Sequence, residues 1–195
     1  MKIAAAVSLI ILQTIALPAF DYQVKTVKVL PIESYPARME LGGITIAADP
    51  YNTDEKSQSA FDVKNLNSRG YYPVHVIIQN HSEKFMSIRT RNVLLITSSG
   101  RQLYTTPATV VAQDVTGSVS TKTGSPLSDF TEKELTNRTV DPKAVADGFI
   151  FFFTPESRND FFAGSTLYIP KLEEEGSRKP LGPFSIPLDP ALTKK

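Results

Sequence analysis

The chain has 195 residues, with 21 Lys plus Arg against 20 Asp plus Glu and a formal net charge of +1. That balance lacks the basic surplus of a nucleic-acid-binding surface, and the absence of any Cys excludes a disulfide framework, a thiolate metal site and a lipid-modified Cys. Charged residues at 21% and hydrophobic residues at 41% suit a globular domain that builds its own core.

Met1–Ala19 reads as a secretory signal peptide: Lys2, then an apolar run from Ile3 to Leu12, then Pro18-Ala19. Cleavage after Ala19 leaves Phe20 as the new N-terminus. Counted generously to Phe20, the apolar run approaches the length of a membrane-spanning helix, so an uncleaved anchor is the alternative. Without Lys2 the charges stand at 20 against 20. The expected organisation is a signal peptide over 1–19, one domain over 20–189 and a disordered tail over 190–195.

Downstream, short apolar runs bounded by turn residues point to β structure. Strands are predicted over Gln23–Leu30, closed by Pro31, and over Gly43–Ala48, where Ile44, Ile46 and Ala48 share a face. Asn52 with Glu55 has capping-box spacing and predicts a short helix over Asn52–Phe61. Tyr71–Asn80 is apolar on both faces and reads as a central strand. Phe85–Ile96 reads as a long strand with a bulge near Thr90–Asn92, followed by a hairpin partner over Arg101–Thr105. Thr106-Pro107, with Ala108, Val111, Ala112 and Val115 on one face, predicts a helix over Pro107–Val115. Thr116–Gly124 is a polar loop. Ser125-Pro126 starts a second helix, with Leu127, Phe130 and Leu135 as its apolar side. Gly148–Phe153, Ser165–Ile169 and Phe184–Leu188 are the last strands, and Glu173–Gly176 is a solvated turn.

These elements predict a mainly β fold, an antiparallel β-sandwich of about seven strands with two or three short inserted helices. The order of signals resembles bacterial extracytoplasmic immunoglobulin-like domains of uncharacterised families. The resemblance rests on the apolar strand Pro73–Asn80, the strand running into a Gly turn at Val93–Gly100, and Asp141-Pro142 leading to Gly148–Phe153. It covers roughly Gly43 to Leu188, implies a sandwich scaffold, and its motifs carry no catalytic residue to transfer. The chain departs from antibody-type domains in having neither Cys nor Trp.

Motifs that carry chemistry are sparse. His75 and His81 are the two His residues, and their spacing matches no metal-ligand pattern. Gly117-Ser118-Val119-Ser120-Thr121 lacks the last Gly of a nucleophile elbow. Asp49, Asn52, Asp54 and Glu55 form an oxygen-rich loop of the kind calcium favours, without the spacing of a calcium loop. Asn80-His81-Ser82 and Asn137-Arg138-Thr139 are formal glycosylation sequons. The residues expected to meet a partner are aromatic and beside Arg: Tyr71, Tyr72, Arg158, Phe161 and Phe162. The competing expectation is that Phe161-Phe162 plugs one end of the sandwich.

The resulting expectation is an exported cell-envelope protein, periplasmic or extracellular after cleavage, that binds a protein partner through loops of a β-sandwich. No catalytic residue, cofactor, metal or nucleic acid is expected, and membrane contact only through an uncleaved N-terminus. The alternative is an extracytoplasmic hydrolase or metal-dependent enzyme, which would hold His75 or His81 beside a carboxylate in a pocket.

Overall fold

The structure is a computed structural model that describes residues 22–156 and 160–193. The expected signal peptide, its cleavage point before Phe20, and Arg158 lie outside the described residues.

The elements are β1 (Arg38–Leu41), β2 (Ile44–Pro50), α1 (Asp54–Phe61), β3 (Tyr71–Asn80), β4 (Met86–Ile88), β5 (Leu94–Ile96), β6 (Gln102–Thr106), α2 (Ala108–Thr116), α3 (Pro126–Lys133), β7 (Arg138–Val140), β8 (Val145–Phe153), β9 (Thr166–Ile169), β10 (Leu172–Glu174), β11 (Pro180–Leu181), β12 (Phe184–Pro187) and α4 (Asp189–Leu192). Eight strands form one antiparallel sheet in the order β1-β2-β3-β8-β6-β5-β9-β12, and four form a second, β11-β10-β4-β7. The mainly β, antiparallel expectation holds. The described residues carry twelve strands rather than about seven, because β1, β7, β10 and β11 are too short to print a period on the sequence.

Two predicted strands behave differently. Gln23–Leu30 forms no ladder. The segment from Tyr22 to Pro31 is extended but held through side chains, with the Gln23 amide donating to Asp62 Oδ2 at 2.9 Å and the Leu30 amide to Tyr35 Oη at 3.0 Å. It lies as a strap on the large sheet, with Tyr22, Val27 and Val29 packed inward. Phe85–Ile96 breaks at a 3-10 turn, Thr90–Asn92. β4 enters the small sheet and β5 the large one, so the expected bulge is the point where the chain changes sheets. The turn expected over Glu173–Gly176 begins inside β10, and the described part of the expected tail is helical through Leu192, with Ala191 and Leu192 against the core.

Alternation along β3 and β8 divides the core. Tyr72, Val74, Val76 and Ile78 of β3 and Ile150 and Phe152 of β8 face inward and meet Met86, Ile88, Val140 and Leu172 of the small sheet. The opposite face carries Tyr71, Phe149 and Phe151, covered by Phe61 of α1, Val111 of α2 and Phe130 of α3. With a covered layer on each side, β3 is apolar on both faces, as its sequence predicts.

The helices begin on identifiable donors and acceptors. Thr53, rather than Asn52, caps α1 by accepting the Lys56 amide at 3.2 Å. Ser125 caps α3 by accepting the Ser128 amide, with Pro126 in the first turn. No side chain of residue 106 or 107 caps α2. Glu134, beyond α3, accepts the Ala108 amide at 3.0 Å and does so from across the helix pair.

Candidate functional site

Between the helical cluster and the strap, the outer face of the large sheet buries a histidine. His75, 1% exposed, sits on β3 with its ring stacked on Phe149 at 4.7 Å between centroids and 16° between planes. Its Nε2 lies 2.8 Å from Asp147 Oδ2. The register explains the pairing. His75 is opposite Phe149 and Ile77 is opposite Asp147, so histidine and carboxylate are diagonal neighbours on one face.

Asp147, unlike its partner, reaches solvent. Its side chain is 39% exposed and stands at the rim of a hollow of about 430 Å³. The hydrogen bond with His75 is the main cause that holds its carboxyl below the usual carboxylate range, against the upward push of burial, with smaller help from the charges of His75 and Arg138. Val29, Leu30, Pro31 and Ile32 of the strap form one wall, Ile77 and Val145 the other, and Glu33 and Gln79 complete the rim. Tyr35 ties the strap down by accepting the Leu30 amide. Burial chiefly, with Asp49 and Asp147 adding, raises its phenol above the ordinary value.

This arrangement has a defined chemical capacity. In a catalytic Ser–His–Asp set the carboxylate is buried behind the imidazole and the imidazole faces the nucleophile. Here the order is inverted: the imidazole is enclosed and the carboxylate faces solvent. Among the described residues no hydroxyl or thiol lines the hollow. The site offers a fixed, ionised acceptor beside an apolar wall, which suits a donor or cationic group carried on an apolar stem. Among the described residues no group of three or more His, Cys, Asp or Glu is placed to hold a metal ion.

The aromatic residues expected to meet a partner are not on the surface. Tyr72 stacks on Phe161 at 3.8 Å and meets Phe162 edge-on at 5.8 Å, and all three are buried. Tyr72 is on the inward parity of β3, and a turn closed by the Ala163 amide on the Asp160 carbonyl draws Phe161-Phe162 inward. They plug the sandwich. Tyr71 is buried on the opposite face against Phe153, at 5.0 Å.

Most of the other candidates are committed within the fold, His81 excepted. His81 is exposed after the end of β3, and six residues of strand separate it from His75 by roughly 20 Å. Asp49 pairs with Lys56 at 2.6 Å. Asp54 accepts the amides of Asn67 and Ser68 and the Ser68 hydroxyl. Asn80, fully buried, donates to the carbonyls of Lys84, Val140 and Asp141 and accepts from Ser82, so its amide is a corner pin and not a glycan acceptor. Asn137 Oδ1 accepts the Thr90 amide. Sequence reasoning missed Asp147 and the strap wall. An acidic residue on the outward parity of a Phe-rich strand was the available signal, but it points to His75 only once β3 and β8 are paired.

No protein-family model matches the chain. A comparison with curated proteins likewise gives no match. Among solved structures, the chain is similar to the yjhA protein of Bacillus subtilis, at 10% identity and a TM-score of 0.39, covering 69% of this chain and 78% of that one. It is similar to ycdA of the same organism, described as a candidate lipoprotein, at 14% identity and a TM-score of 0.43. That match covers 79% of this chain but 39% of the other. A protein of unknown function from Listeria monocytogenes aligns at 13% identity and a TM-score of 0.40, covering 77% and 79%. The β architecture described above stands on the strand pairing alone.

Proposed function

We propose that the chain is an exported cell-envelope module that binds a protein partner and is not itself an enzyme. The observation that carries this reading is the apolar hollow under the strap, open to solvent, with Asp147 fixed at its rim and no nucleophile beside it among the described residues. Val145 and Leu30, 52% and 42% exposed, stand at this hollow, and the partner segment would insert an apolar side chain there with a donor group toward Asp147. The basic-then-apolar start of Met1–Ala19 supports export, with the periplasm or the cell exterior as destination. Within this proposal the scaffold is an immunoglobulin-like sandwich, a reading supported by the packing of β3 and β8 against the sheet of β4, β7 and β10. A photo-crosslinking residue at position 145, carried into the envelope fraction, is expected to give one stoichiometric adduct that Asp147→Ala weakens. A chain that crosslinks to nothing at position 145 or position 30 overturns the reading.

The second reading is an extracytoplasmic hydrolase. It is favoured by the presence of a His–carboxylate pair beside a hollow, with Asp147 as the general base on water. Hydrolysis of an ester or glycoside that vanishes in Asp147→Asn would carry it.

A further inference from the structure

The helices cover only the β3–β8 half of the outer face of the large sheet. On the other half, none of the residues of β5, β6, β9 and β12 is charged. An antiparallel face open to water ordinarily alternates apolar residues with charged and polar ones. Here the outward positions are aromatic, aliphatic or neutral polar. The strand register lines several of them up across the sheet. Tyr104 is opposite Leu94, Leu94 opposite Tyr168, and Tyr168 opposite Ser185. Thr105 pairs with Phe152, and continuing that register sets Tyr104 beside Phe153. Tyr104 is 68% exposed and Phe153 43%. The result is a strip of rings running perpendicular to the strands.

We propose that this strip binds an uncharged, β-1,4-linked polysaccharide chain with equatorial hydroxyls. Such a chain has flat, apolar C–H faces and a neutral hydroxyl rim. The faces stack on Tyr104, Phe153 and Tyr168, as apolar groups do on exposed rings, and the hydroxyls meet the side chains of Gln102, Thr166 and Ser185. The match in charge selects this ligand class, because the strand residues that form the strip include no cation for a phosphate or carboxylate and no anion for an amine. The spacing agrees as well. Tyr104 and Tyr168 are separated by β5, two strand spacings or about 9.5 Å. In an extended β-1,4 chain every second ring presents the same face, and the disaccharide repeat is of that order. The strip lies away from the hollow beside Asp147, so the two sites stand or fall separately.

The test is retention of the purified mature chain on insoluble cellulose and on insoluble chitin, in low and high salt. Retention on at least one is expected, unchanged by salt because no counterions are released. It should drop about tenfold in Tyr104→Ala, survive in Tyr104→Phe, and be indifferent to Asp147→Ala. Tyr104 is exposed, so its truncation leaves the core intact, which an unchanged melting temperature would establish. Failure to bind either polysaccharide overturns the proposal. So does retention that Tyr104→Ala leaves intact, or binding only to an anionic polymer and lost in salt. A dimer in light scattering that Tyr104→Ala dissolves would make the strip a contact between copies of this chain and would also overturn it.

Discussion

At the scale of single residues, the buried imidazole of His75 is the feature with the clearest energetic consequence. Its hydrogen bond lowers the pKa of Asp147 in the folded chain relative to the unfolded one and so favours the carboxylate. The stabilisation is therefore complete above the unfolded carboxylate range, near about pH 4, and is lost as pH falls through the lower, folded value. His75→Phe keeps a ring on Phe149 and removes the bond. Because Asp147 is partly exposed, the expected loss is only about 1 kcal/mol at neutral pH. Urea unfolding should show that gap at pH 7 and a smaller one near pH 3, and equal gaps at both would refute the account. Little of this was legible in the sequence. A lone His in an apolar strand announces burial, but its partner is 72 residues away, and the diagonal that joins them exists only in the paired sheet. The aromatic residues misled for a related reason. Tyr71 and Tyr72 look alike in sequence, yet alternation sends them to opposite sides of the sheet.

At the scale of elements, the chain's own punctuation was most readable where the signal is local. Ser125-Pro126 marks the start of α3, and the apolar face of Ala108, Val111 and Ala112 marks α2. What was illegible is supplied from elsewhere, such as the carboxylate of Glu134 at the start of α2. The Gly42-Gly43 hairpin between β1 and β2, with φ of 58° and 79°, also escaped notice, because β1 is only four residues long. Gly148 shows how tightly these connections pass. Leaving α3, the chain crosses β8 where Leu135 donates its amide to the Phe149 carbonyl at 2.8 Å. A Cβ on Gly148 would lie 2.7 Å from the Leu135 nitrogen and 2.8 Å from its Cα. Gly148→Ala is expected to cost about 3 kcal/mol by overpacking. Leu135→Ala should not rescue it in thermal melts, since the obstructing atoms are backbone.

At the scale of the whole molecule, the two sheets share one continuous core, whereas the strap is a separate attachment. Tyr22 Oη donates to Asp129 Oδ2 at 2.5 Å, and Asp129, almost fully buried, pairs with Lys133 at 2.7 Å. Tyr22→Phe is expected to speed hydrogen exchange at the Gln23 amide while the amides of β3 and β8 stay protected. Uniform acceleration across the sheet would instead mean that the strap is part of the cooperative unit. Length, composition and the apolar runs of β3 and β8 were enough to read a mainly β chain with a few helices. They were not enough to read the strap, because an extended segment docked on a sheet and a strand inside one share the same alternation.

The meeting of β1 and β12 has a consequence for how the large sheet behaves among other chains. These are the two outermost strands of the large sheet, and instead of a ladder between them, the Ser185 amide points at Met39 Sδ, 3.3 Å away. A thioether fills the place where a foreign strand would otherwise dock, so the sheet guards its open margins against edge-to-edge polymerisation with a soft, apolar plug. Oxidation of that sulfur would exchange the plug for a polar, swollen one, and the first symptom of oxidative damage in this protein would be fibre growth from an unlatched margin, ahead of any loss of its core.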